Sequence, residues 1–209
     1  MNGKPASHCA MEWAEVSGAD RPYFGGSMFR NFSALCAFIL LVACNAPPAD
    51  LLKPIEPMGQ FKLGHAEVVA PNLEKLLVSQ DVSKEELIAA MDGALEQRFR
   101  RYEGTQYYHL GVSIEAYSLP RPFVPGKSAL ALRVTVWDDA AGEKLNEESE
   151  VIHVIQVIES RISMTREDRI QRLVETGALM IEKWMREQHE ANGWFAERQA
   201  AELVQLPSE

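Results

Sequence analysis

Phe32 to Val42 is an apolar run of eleven residues, and its length decides which part of the chain is free to build a core. A helix that crosses a bilayer needs about 20 apolar residues, whereas the apolar core of a secretory signal takes about 7 to 15. The run is too short to span and the right size to be removed. A buried core helix is the rival reading. Against it stand Arg30 just before the run, the small residue Ala43 and Cys44 just after it, and a proline-containing polar stretch beyond. These flanks take the run out of the fold and move the core downstream.

Leu41-Val42-Ala43-Cys44 resembles the lipobox of a bacterial lipoprotein signal peptide. A small residue at Ala43 lets the signal peptidase seat the chain, and Cys44 offers a thiol that can be alkylated. The resemblance implies signal cleavage between Ala43 and Cys44, a thioether-linked diacylglycerol on Cys44 and, in many Gram-negative species, a third acyl chain on the new amino terminus. The membrane is then a partner through that lipid. Asn45 stands where aspartate keeps some enteric lipoproteins in the inner membrane, so the expected address is the outer membrane, facing the periplasm. Residues 1–27 carry Lys4 and Arg21 against Glu12, Glu15 and Asp20, unlike the basic start of a signal. They are read as an upstream extension, with translation starting at Met28 and the signal occupying 28–43.

Of the three cysteines, Cys9 and Cys36 precede the cleavage site and only Cys44 follows it. No disulfide can then form inside the mature chain, even in an oxidising envelope. Cleavage after residue 43 leaves 166 residues, enough for one packed domain without staples. Leader and signal carry three charges of each sign, so the mature part keeps the net charge of −9. That balance argues against nucleic acid, which needs a clustered positive surface. Residues 44–59 hold the lipidated cysteine followed by Pro47, Pro48, Pro54 and Pro57, and read as a tether; if extended, its fourteen residues from Asn45 to Met58 would reach about 40 Å.

Downstream, the domain is placed at 60–193 and a tail at 194–209. Phe61 to Val69 is read as a strand ended by Pro71-Asn72. Ser83-Lys84-Glu85-Glu86 has the form of a capping box, and Leu87, Ile88, Met91, Leu95, Phe99 and Tyr102 recur at helical spacing until Gly104. Tyr108, Leu110, Val112 and Ile114 alternate with polar residues, as Leu130, Leu132, Val134 and Val136 do, and Val151 to Ile158 is a third β-branched segment. Gly64 and Gly111 fit strand positions that need a bulge or close packing. Thr165-Arg166-Glu167-Asp168 starts a last helix whose stripe runs through Ile170, Leu173, Val174, Gly177, Ile181, Trp184 and Met185 to Gly193.

This order, β-α-β-β-β-α, predicts an α+β two-layer sandwich: an antiparallel sheet of about four strands with two long helices on one face. Over roughly residues 60–190 the arrangement is similar to small envelope lipoproteins of Gram-negative bacteria, including the lipopolysaccharide-assembly lipoprotein and the auxiliary lipoproteins of ABC-type lipid transporters. Val134-Thr135-Val136-Trp137-Asp138-Asp139, with Gly142 and Lys144-Leu145, also resembles a lipoprotein family of alphaproteobacteria that has no assigned activity to carry over.

Motifs for catalysis are lacking. His65, His109, His153 and His189 are far apart and form no H-x-x-x-H pair for a metal, and no G-x-S-x-G elbow, P-loop or dinucleotide fingerprint occurs. Asp138-Asp139 beside Gly142 reads as a turn before it reads as a carboxylate pair or a calcium site. No cofactor, no metal site and no enzymatic activity are expected. Three features are candidate contacts with a partner or lipid. Arg98, Arg100 and Arg101 cluster where cations complement the end of the first helix dipole, at about 0.3–1 kcal/mol each, and could instead bind lipid phosphates or an acidic partner. Phe123 and Val124 sit in the proline-rich loop Leu119 to Lys127, stiff enough to dock with little loss of entropy. Trp194 and Phe195 open the tail, which either packs on its own domain or binds a partner. The expected role is a noncatalytic, membrane-anchored periplasmic adaptor or assembly factor with an envelope protein as partner. The alternative is an auxiliary lipoprotein that binds lipid or another amphiphile for a transport system, which an apolar cleft between helices and sheet would favour.

Overall fold

A computed structural model describes residues 48–76, 78–156 and 163–198. Their order is β1 (Phe61–Val69), β2 (Glu74–Lys75), α1 (Lys84–Phe99), β3 (Gln106–Ser118), β4 (Ser128–Asp138), β5 (Glu143–Lys144), β6 (Glu150–Gln156) and α2 (Arg166–Asn192). Among these residues no helix is long and apolar enough to cross a membrane.

The six strands form a sheet four rows wide. β1 and β2 follow one another along one side of β3, both parallel to it. β4 lies antiparallel on the other side of β3, and β6 and β5 share the outer side of β4, both antiparallel. The expected purely antiparallel sheet of about four strands is corrected on both counts. The direction follows from the connection: β1 reaches β3 through α1, and a crossover through a helix returns the chain in the direction in which it left. The count follows from β2 and β5, two exposed residues each, Glu-Lys in both cases, with no apolar alternation to reveal them. Both extend an edge row after a break.

Inward residues of the two central strands fill the middle. Leu110, Val112, Ile114, Leu132, Val134 and Val136 are at most 1% exposed. α1 packs over β1, α2 over β4 and β6, and the two helices pack on each other. Gly177 lets α2 settle closely, since a Cβ there would lie 2.9 Å from Leu132 Cδ1. Register slips at Gly64, between Leu63 and His65, where the first of the two strand glycines was expected to serve.

Helix ends follow from their caps. The Ser83 hydroxyl accepts from the Glu86 N–H at 3.1 Å and starts α1. Thr165 and Asp168 form a complete capping box for α2, and Gly193, at φ 68°, closes it in the left-handed conformation. α1 is shorter than the stripe suggested. It stops at Phe99, and Tyr102 is buried in the turn beyond it. Gly104 therefore does not end the helix; it lets the chain press against β1, because a Cβ there would fall 2.2 Å from the Gln60 carbonyl. Val151 and its neighbours form β6 as far as Gln156; Val157 and Ile158 lie outside the described residues.

Candidate functional site

Residues 50–58 lie against the domain, held by arginines. Arg98, in the last turn of α1, donates from Nη2 to Asp50 Oδ2 and from Nη1 to Glu182 Oε2 of α2, both at 2.7 Å. The other Glu182 oxygen accepts from the Tyr102 hydroxyl at 2.5 Å. Arg186 donates to that hydroxyl at 3.1 Å and to the carbonyls of Glu56 and Pro57 at 3.0 and 3.2 Å. Arg101 donates to the Lys53 carbonyl at 2.7 Å. Met58, 1% exposed, and half-buried Ile55 add apolar contact with the core.

This clasp ties residues 50–58 to both helices at once. Asp50 on one side and Glu182 on the other both pair with Arg98, which is what lets so buried a guanidinium (4% of its side chain exposed) persist. Burial pushes the Tyr102 hydroxyl well above its ordinary value, and the neighbouring Glu182 carboxylate adds to the shift. Around Asp50, burial opposes ionisation but is outweighed by the hydrogen bond and charge of Arg98, which hold its carboxyl below the usual range. The result is a fixed polar lock with no titration near neutrality in either group.

The candidate arginines do not share one surface. Arg98 is enclosed in the clasp. Arg100 pairs with Glu96, four residues earlier, at 2.5 Å, and also caps the Leu63 and Gly64 carbonyls at 3.2 and 3.4 Å. Arg101 keeps part of its surface to solvent while holding Lys53. Beside it a groove of about 470 Å³ is lined by Ile55, Met58, Phe61, Arg101, Tyr102 and others.

Trp194 and Phe195 fold back onto the domain. Phe195 is fully buried, its ring 5.0 Å from Phe61 and 4.9 Å from Tyr108, and its carbonyl accepts from the Gln60 N–H at 2.7 Å. Trp194 meets Trp184 edge-on at 5.3 Å. Leu203, Val204 and Leu206 of the tail lie outside the described residues. The loop between β3 and β4 presents Phe123, 83% exposed, while Val124 is half-buried. The loop's root is pinned from α2, where the buried Arg169 donates to the Pro120 carbonyl at 2.6 Å.

On the uncovered face of the sheet, Trp137 carries the Lys144 ammonium over its ring at 5.4 Å, and Gly111 floors a depression of about 310 Å³ with Arg133 and Thr135 at its wall. His109 Nε2 meets Asp139 Oδ1 at 2.8 Å nearby, and Asp138 accepts from the Ala140 and Ala141 N–H groups as a turn residue should. Asp138 also pairs with Arg198. Among the described residues no group of three His, Cys, Asp or Glu side chains could hold a metal ion. Sequence reading missed the clasp. Its signal was present in Ile55 and Met58, apolar residues spaced through a stretch that composition alone marked as a spacer.

No family model and no curated protein matches this chain. Solved structures similar to it include a Xanthomonas campestris protein of the DUF330 family, at 12% identity, with 66% of this chain and 92% of that one covered and a TM-score of 0.43. A candidate lipoprotein of Caulobacter crescentus is 12% identical, with 57% and 92% covered and a TM-score of 0.35. A minor lipoprotein of Acinetobacter baumannii is 19% identical, with 63% and 94% covered and a TM-score of 0.29. At these scores the likeness carries no conclusion about shared function.

Proposed function

We propose that this protein is a noncatalytic, lipid-anchored envelope protein that acts as a periplasmic adaptor or assembly factor, held to the outer membrane through Cys44. The observation that carries the reading is the Leu41-Val42-Ala43-Cys44 motif at the end of an eleven-residue apolar run. Residues 50–58 are locked to α1 and α2, so only part of the stretch that follows the proposed anchor is left to act as a spacer.

Among the described residues, the surfaces open to a partner include the Phe123 tip and the uncovered sheet face. The lipid-handling alternative asks for an apolar cleft between helices and sheet, and that space is filled by Leu132, Val134, Val174, Ala178 and Ile181, each 0% exposed. The test is crosslinking and affinity purification of the anchored protein from envelopes, comparing the native chain with Phe123→Asp. The adaptor reading expects a defined envelope protein that is recovered with the native chain and at least tenfold less with the variant. Recovery of lipid alone would overturn it.

A further inference from the structure

The two edges of the sheet are treated differently. β1 is guarded: its ladder is broken by the bulge at Gly64, the Arg100 guanidinium covers the Leu63 and Gly64 carbonyls, and Lys62, His65 and Glu67 interrupt its sequence. Such devices stop an edge from recruiting another strand. β6 lacks the bulge and the covering arginine. From Glu150 it reads Glu-Val-Ile-His-Val-Ile-Gln, with no lysine or proline, and among the described residues it pairs only with β4. Ile152 and Val154 face the core, whereas His153 and Ile155 face away from it, Ile155 with 61% of its surface exposed.

We infer that the outer edge of β6 pairs antiparallel with β6 of a second copy of this chain, about a twofold axis at His153. The strand's own pattern selects that occupant. With His153 opposite its mate, Val151 faces Ile155, Ile152 faces Val154 and Glu150 faces Gln156, so all seven residues overlap, every apolar residue meets an apolar residue, and no carboxylate meets another. A slip by one residue would set core-facing side chains against outward-facing ones. A slip by two would shorten the overlap and place Glu150 or Gln156 against an apolar residue. Cross-strand pairs of β-branched residues stabilise such a ladder. A seven-residue edge buries much less than the roughly 1,600 Å² of a standard interface. The dimer is therefore weak in dilute solution and is favoured where copies are crowded on a membrane. The pairing itself does not depend on the anchor.

The full chain carrying His153→Cys, purified in detergent at high concentration and oxidised, tests both partner and register. A disulfide-linked dimer is expected, well above the background from the native chain's own thiols. Val69→Cys, on the guarded edge, should stay at background. Ile155→Cys alone should also stay low but link readily when mixed with Val151→Cys. Equal linking at all these positions, no linking at His153→Cys, or linking of it only to a different envelope protein would overturn the proposal. A variant with no engineered thiol gives an independent check. Ile155→Lys should abolish concentration-dependent dimerisation in sedimentation while leaving thermal unfolding of the monomer unchanged, and retention of the dimer would contradict the assignment. Loss of the lipid on Cys44 would leave these outcomes as they are, so failure of the anchoring reading and failure of the pairing are separable.

Discussion

Arg98 and Arg100 are two residues apart and differ in what they do. The Arg98 guanidinium is almost fully enclosed between Asp50 and Glu182, and Glu182 is itself largely shielded, so removing the cation strands a carboxylate. The loss should be about 3 kcal/mol, the lower end for breaking a buried pair from one side. Arg100 keeps half of its side chain in water, and its pair with Glu96 and its long contacts to the Leu63 and Gly64 carbonyls are together worth about 1 kcal/mol. Urea unfolding of Arg98→Ala and Arg100→Ala should therefore give very unequal shifts in midpoint. Equal shifts would mean that the clasp is not closed in solution. Sequence alone could not separate them: both are arginines at a helix end, and the helix dipole treats them alike. What divides them is Asp50, forty-eight residues away in a segment that proline content marked as a spacer.

At the scale of elements, the starts of the two helices are joined by Arg166 and Glu86, whose two guanidinium nitrogens reach the two carboxylate oxygens at 2.6 and 2.7 Å. The hydrogen bond from Arg166 holds the Glu86 carboxyl below its ordinary value against the opposing effect of burial. A carboxyl depressed in the folded state stabilises fully above its unfolded value, about 4.3, and that contribution is lost as pH falls through the lower folded value. Glu86→Gln should be less stable than the native chain at pH 7, and the gap should close as the medium is acidified below about pH 4. A gap that stays constant in urea titrations across that range would contradict the assignment. The elements themselves were well marked in sequence wherever a face is buried: β3 and β4 by alternation, α2 by its stripe and caps. α1 was read too long because Tyr102 continues the helical spacing from a turn. β2 and β5 left no trace, since two exposed charged residues paired through backbone carry no hydrophobic pattern. The parallel placement of β1 was legible only through its connection, because alternation says which face is buried and nothing about direction.

For the whole molecule, the described residues make one packed body. Its amino-terminal segment is locked down by arginines from both helices, and its carboxyl-terminal aromatic pair closes the end of the core beside β1 and β3. One sheet edge is guarded and one is open, one sheet face is covered and one bare. These asymmetries give the described body a limited set of surfaces to offer. The account rests on Cys44 being the lipidated first residue of the mature protein. Intact mass and amino-terminal peptide analysis of the protein taken from bacterial envelopes tests it most directly. The account predicts a chain beginning at Cys44 with a diacylglycerol on its sulfur, and a Cys44→Ser variant that retains the signal and is not processed. A mature protein that carries residues before Cys44, or begins at Cys44 with a free thiol, would contradict it.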